Sequence, residues 1–300
     1  MGMSVGSIVS GAFRLLRERP GAVAAWGLVY LAVVVGMLFA TRPYVEAQTA
    51  AMTRNDPAAM MASMQSFGVL MLANLVSLGV FMVLFTAAMR AVLRPLDPGF
   101  AYLRVGMDEL RVIALSILFL IGFYFAFIIA ALVVALVAGI FAIAGGAAAG
   151  IAVGGIGLAL LIAAAVWIEV RLSLVFPLTL IRGRFVIGES WRLTKGRFWT
   201  LFGAYLVLGL VLLLLWIAVA MVTLGSYWTD LMQSGFTPEG IQAAARRQME
   251  RQLALGPVTI LGWFLSAAVG AGWISLFGGA SAIAARALAN DPTDMAGTFS

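Results

Sequence analysis

The amino-acid sequence predicts an all-α fold, a polytopic transmembrane helical bundle. Of its 300 residues, 63% are hydrophobic and only 11% are charged, whereas soluble domains carry about 25% charged residues. The mean hydropathy is +1.06. Charged residues divide the chain into five long uncharged windows, at 20–41, 57–89, 112–168, 198–229 and 252–285. Each window exceeds the roughly 20 residues that a helix needs to cross a bilayer.

The third window is too long for one crossing. A straight helix over 112–168 would be about 85 Å long at ~1.5 Å per residue, against a hydrocarbon core of ~30 Å. We expect it to fold back at the glycine-rich run 145–150, because glycine permits a tight reversal. The prediction is therefore six spans, near 21–40, 68–90, 113–139, 150–172, 200–223 and 257–284.

Basic residues predict the orientation of these spans. If the N-terminus is cytoplasmic, 14 of the 19 Lys and Arg residues and eight acidic residues lie on the inner side. The five outer basic residues are matched by five acidic ones, so the net charge of +6 lies entirely inside. The positive-inside rule therefore predicts that both termini face the cytoplasm. We expect the first span to be an uncleaved anchor, since its 22 uncharged residues exceed the ~7 to 15 of a signal peptide.

The segments between the spans are expected to form a single membrane domain with them. Residues 4–19 and 182–198 are predicted to be inner amphipathic segments, the first lying on the membrane surface as a helix with Ile8, Ala12 and Leu15 on one face. Two outer loops are predicted, at 41–66 and 225–256. In each loop a proline, Pro57 or Pro238, is placed to begin a short surface helix.

A basic and aromatic phrase occurs twice, at 13–19 and 191–197, each time before a span. The two copies are 178 residues apart, and a similar order of span, outer loop and span follows each one. This pattern is consistent with a 2+2+2 organisation, in which a parallel pseudo-repeat flanks the hairpin of spans three and four.

The second phrase belongs to a dense group of cations and aromatic rings on the predicted inner side. We name this group the collar; it consists of Arg182, Arg184, Trp191, Arg192, Lys195, Arg197 and Trp199. The simplest interpretation is an interfacial anchor, with Trp at headgroup depth. The functional interpretation is binding of anionic lipid headgroups, where each basic residue contributes about 1 kcal/mol and Arg192 and Lys195, expected as neighbours on a helix, donate to phosphate.

The run from Ser190 to Gly196, closed by Trp199, resembles a recurring phrase of the glycerophosphoryl diester phosphodiesterase membrane-domain family and related bacterial inner-membrane proteins. Arg171 and Pro177 lie where that pattern would place them. The resemblance covers about 171–205 and implies a role in the envelope or in lipid processes. A catalytic barrel of ~250 residues accompanies the membrane domain in some members, and we expect none here, so no catalytic residue is carried over.

Two charges, Glu169 and Arg171, lie nearest the middle of an apolar region. If span four begins near Gly150, both residues lie at its inner end as interfacial anchors, which is the interpretation we favour. If it begins near residue 156 and runs to 181, both lie within the inner leaflet. Glu169 then needs an ion-pair partner, and Arg90 is the expected one.

Three glycines, Gly146, Gly150 and Gly154, repeat at every fourth residue. This spacing favours close packing between two helices, within the chain or between protomers.

The sequence excludes most catalytic chemistry. The absence of His and Cys removes the commonest general base and metal ligands, and we expect no metal, cofactor or nucleic-acid partner. The adjacent acids Asp108 and Glu109 are expected in a solvated inner loop. We predict a non-enzymatic, lipid-interacting or scaffolding module of the bacterial inner membrane, with anionic lipids, a protein partner or a second copy as partners. The alternative is a transporter of a small or amphipathic solute; an enzyme acting on lipid phosphodiesters ranks last.

Overall fold

The computed structural model describes residues 3–54, 57–97 and 99–289 and confirms the predicted fold class. The chain is 88% helical, and no strand occurs among the residues that the structure describes. Six helices are long and apolar enough to cross a membrane. The protein is therefore a multi-pass membrane protein.

The helices are, in chain order, α1 (Val5–Glu18), α2 (Pro20–Arg54), α3 (Pro57–Leu93), α4 (Met107–Gly145), α5 (Ala147–Leu172), α6 (Val175–Arg182), α7 (Ile187–Leu193), α8 (Phe198–Gln233), α9 (Pro238–Leu253) and α10 (Pro257–Ala289). The six spans lie within α2, α3, α4, the consecutive helices α5 and α6, α8 and α10.

The two outer segments differ from the prediction and from each other. Pro57 begins a helix, but this helix is α3 itself, which continues to Leu93, and α2 extends to Arg54. The expected loop over 41–66 with a separate surface helix is therefore wrong. Proline favours the first turn of a helix without limiting its length. In the second segment Pro238 does begin a separate helix, α9, and the Thr237 hydroxyl caps it by accepting from the Gly240 amide at 3.1 Å.

Helices α4 and α5 form the expected hairpin with a tighter reversal than predicted. Only Gly146, with φ +84°, separates the two helices, a conformation that glycine adopts without strain. A Cβ on Gly150 would lie 2.5 Å from the Ala142 Cβ, so this glycine allows the helices to approach closely. At Gly154 the same atom would make an ordinary contact of 3.5 Å. A further close approach, not predicted from the sequence, occurs at Gly157, where a Cβ would lie 2.6 Å from the Val134 side chain.

The apolar face of helix α1 packs against other helices of the protein, and its position on the membrane surface stays a prediction. Ser4 caps the helix through the Ser7 amide. Its apolar face, Ile8, Ala12 and Leu15, is buried and packs against α8 and α10. The amphipathic pattern predicted the apolar face but not what covers it, because burial against protein and burial in lipid both favour the same face.

Buried side chains concentrate at one end of the bundle, which we call the basic end. It contains α1, the end of α3, residues 94–97 and 99–106, α6, α7 and the end of α10. The core there combines residues of α1, α8 and α10 such as Ile8, Leu201 and Ala284, all nearly inaccessible. Away from this end the spans are largely exposed, as expected of helices that face lipid.

The two basic phrases have different surroundings. Helix α1 packs across α8 and α10, whereas the seven-residue α7 contacts α5 and α6. The pseudo-repeat stays a prediction.

Replacing Gly150 by Ala should loosen the α4–α5 hairpin. The new methyl group would overlap Ala142 and approach the Ala138 carbonyl oxygen to 3.0 Å, so we expect a loss of about 1–3 kcal/mol in the free energy of unfolding, measured in mixed micelles. Gly155→Ala is the matched control, because its Cβ meets nothing within 4 Å. It should be neutral or raise stability by up to ~1 kcal/mol. Equal losses in both variants would contradict this account of Gly150.

Candidate functional site

The collar lies on two turns and one short helix at the basic end. Arg182 ends α6, and Gly183, with φ +64°, turns the chain away. Helix α7 ends at Leu193, so Lys195 follows the helix and its amide donates to the Arg192 carbonyl at 3.1 Å. The expectation that Arg192 and Lys195 are neighbours on one helix is therefore wrong, because no single helix covers 182–198. Glycines at 183 and 196, both with positive φ, interrupt this segment.

Most collar side chains reach the surface. Trp199 is 77% exposed and Trp191 is 38% exposed. The exposed cations are Arg182, Arg184, Arg192 and Lys195, while Arg197 is half-buried.

Collar cations differ in how far the protein itself satisfies them. Arg182 pairs with Glu189 at 2.7 Å through two of its nitrogens. Arg184 and Lys195 make no ion pair or hydrogen bond with the residues that the structure describes. Their charges are therefore available to an external anion.

Arg171 is buried between two tryptophans. Its guanidinium carbon lies 5.6 Å from the Trp167 ring centroid and 4.8 Å from that of Trp191, both within range of cation–π attraction. The Ser190 and Thr194 hydroxyls donate to the Arg171 carbonyl at 3.0 and 3.2 Å. Arg171 thus fastens α7 to the end of α5, and Trp191 has a structural role besides its exposed edge.

Glu169 and Arg90 do not meet. Glu169 is exposed in the last turn of α5, whereas Arg90 is 2% exposed and pairs with Glu109. The conditional pairing of Arg90 with Glu169 is therefore wrong. The pairing was predicted because both residues lie near the inner ends of their spans. A position near a span end does not show which helices are neighbours.

A polar network joins α3, the following loop and α4. The Arg90 guanidinium donates to the Glu109 carboxylate and, at 2.8 Å, to the Tyr102 carbonyl. Arg94 donates to Asp108 and to the Leu180 carbonyl, both at 2.9 Å. Burial of two opposite charges is tolerated only when they are paired and hydrogen-bonded, as they are here.

The acidic pair was expected in a solvated loop, and that expectation is wrong. Asp108 and Glu109 form the first turn of α4, and Glu109 is 2% exposed. The Glu109 carboxylate also accepts from the Gly106 amide at 3.1 Å, which closes the N-terminus of the helix. A glycine followed three residues later by Glu before an apolar run is a helix-start pattern, and this signal could have placed the pair on α4.

The geometry of the collar suits the binding of anions. The buried carboxylate of Glu109 is neutralised by Arg90, and the exposed groups of the collar are cations and indole rings. Such an arrangement attracts phosphate oxygens and fits the headgroup layer of a membrane.

Removing the charge of Glu109 should destabilise the basic end. Glu109→Gln removes the closest counter-charge of the buried Arg90 guanidinium and leaves only Asp108, at 3.9 Å, so we expect a loss of about 3 kcal/mol in the free energy of unfolding. Glu169→Gln is the matched control, because Glu169 is exposed, and its effect should stay within about 0.5 kcal/mol. A neutral Glu109→Gln would show that the pair contributes no stability.

Comparison of the chain with protein-family models, with curated proteins and with solved structures finds no match.

Proposed function

We propose that this membrane protein is a non-enzymatic module of the bacterial inner membrane that binds anionic lipids through its basic end. The observation that carries the proposal is the exposed collar, in which Arg184 and Lys195 have no hydrogen-bond or ion-pair partner among the described residues and Trp199 is also exposed. Indole rings prefer the headgroup region, and cations beside them lie at the depth of lipid phosphates.

The distribution of charge supports the cytoplasmic orientation within this proposal. With the N-terminus in the cytoplasm, the net charge of +6 lies on the inner segments of the sequence. Cytoplasmic leaflets carry anionic lipids, which attract such segments by about 1 kcal/mol for each cation near the surface. The positive-inside bias and lipid binding therefore favour the same orientation.

The non-enzymatic part of the proposal rests on the residue types. The chain contains neither His nor Cys, and its buried carboxylate is held in an ion pair with Arg90. The resemblance of 190–199 to the phosphodiesterase membrane-domain family also favours a lipid-related role over a catalytic one. A protein partner or a second copy could share the module.

Transport is the less well supported alternative. A transporter is expected to carry an ionisable group inside the bundle along its pathway. Glu169, the carboxylate nearest the middle of an apolar region, is exposed, and the buried Glu109 is held in an ion pair with Arg90.

Neutralising two collar cations should weaken lipid binding. We expect Arg184→Gln with Lys195→Gln to lower the affinity for phosphatidylglycerol about 30-fold, because two contributions of about 1 kcal/mol are lost. Native mass spectrometry of protein released from nanodiscs would measure the retained lipid. Neither side chain makes a hydrogen bond or ion pair with the described residues, so folding should be unaffected.

The control removes two cations from the opposite end, Arg42→Gln with Arg246→Gln, and should leave lipid retention unchanged. Equal retention by the wild type and by both double variants would refute the collar as the lipid-binding surface.

A further inference from the structure

A second basic feature, separate from the exposed tryptophans of the collar, is a cleft of about 320 Å³ at the basic end. It lies where α3, α6 and α10 end, and it is lined by three arginines, Arg94, Arg182 and Arg286. The apolar side chains of Leu93, Leu180 and Ile181 complete its wall. We call this feature the arginine cleft.

Two of the three arginines are held in place by the protein. Arg94 donates to Asp108 and to the Leu180 carbonyl, and Arg182 pairs with Glu189. These contacts fix the guanidinium groups and reduce the entropy lost when a ligand binds them.

The charge of the third arginine is not balanced by any described residue. Arg286 is exposed and makes no ion pair or hydrogen bond with any residue in the described part of the chain.

Among the described residues, the charges in and next to the cleft leave a surplus of cations. Five described cations are linked to it directly or through ion pairs, against three described carboxylates, which gives this part of the chain a net charge of +2 (5 − 3). The cations are Arg90, Arg94, Arg111, Arg182 and Arg286, and the carboxylates are Asp108, Glu109 and Glu189. A phosphate monoester, with a charge of about −1.5 to −2 at pH 7, matches this surplus.

We propose that the arginine cleft binds a phosphate monoester group. Arg286 supplies a guanidinium that no described residue pairs, with Arg94 and Arg182 at its sides, and Leu93, Leu180 and Ile181 contact the apolar atoms next to the phosphate. Guanidinium groups bind phosphate in a bidentate manner, which gives orientation as well as charge. The volume of the cleft holds a phosphate with a small attached group such as glycerol.

The phosphate can come from a lipid headgroup, such as that of phosphatidic acid, or from a soluble phosphate ester. The inference that the phosphate belongs to a lipid rests on the proposed lipid function. The inference that the cleft binds phosphate does not. The opposing explanation is that the three arginines only compensate the negative ends of α3, α6 and α10. That explanation predicts that no phosphate binds and that loss of Arg286 lowers stability in all conditions.

The test uses the full chain in nanodiscs of zwitterionic phosphatidylcholine. One arm adds phosphatidic acid or phosphatidylglycerol to the disc and counts retained lipid by native mass spectrometry. The other arm titrates inorganic phosphate and glycerol 3-phosphate by calorimetry. Arg286→Gln is compared with Arg17→Gln, which removes an exposed cation of α1, and the unfolding midpoint of each variant is recorded.

We expect the wild type to retain phosphatidic acid about tenfold more tightly than phosphatidylglycerol, and Arg286→Gln alone to abolish that preference. Binding of the soluble probes, lost in Arg286→Gln, would also support the cleft and would identify a soluble source. The collar variant Arg184→Gln with Lys195→Gln should keep the preference for phosphatidic acid, so failure of the collar and failure of the cleft are distinguishable. Absence of any phosphate binding, or equal binding by Arg286→Gln and the wild type, would overturn the proposal.

Discussion

The arrangement of the basic end depends on one buried ion pair, that between Arg90 of α3 and Glu109 of α4. Both side chains are 2% exposed, so neither charge could remain there without the other. The pair fixes the loop between the two helices, because Arg90 also donates to the Tyr102 carbonyl. That loop in turn contacts α2, where the Trp26 indole donates to the Ala101 carbonyl at 2.8 Å.

Polar contacts and small residues have this importance because apolar surface gains little by leaving lipid for another helix. Helix α10 shows the effect of a small residue: a Cβ on Gly278 would lie 2.9 Å from the Ala88 Cβ of α3. Arg171, which lies between Trp167 and Trp191, is an example of a polar contact. The rigid basic end positions both the collar and the arginine cleft, while the exposed spans serve as the membrane anchor.

Features that depend on a single segment could be predicted from the sequence. Hydropathy and length identified the six apolar helices, and the glycine-rich run identified the hairpin reversal at Gly146. Features that depend on which helices are neighbours could not be predicted. Glu109 was predicted to face solvent, whereas its burial depends on Arg90, 19 residues away in the sequence. The place of Arg286 in the cleft depends on α3 and α6 lying beside α10. Composition alone identified the cations of the collar. Their separation into different segments follows from the positive φ angles of Gly183 and Gly196, which only the structure shows.

A double-mutant cycle on Arg90 and Glu109 tests most directly whether their pairing holds the basic end together. Arg90→Met, Glu109→Leu and the double variant would be unfolded reversibly in mixed micelles, and their free energies of unfolding compared with that of the wild type. We expect each single variant to lose about 3–5 kcal/mol and the double variant to lose no more than either one, because it leaves no unpaired charge in the interior. Losses that simply add in the double variant would contradict the account.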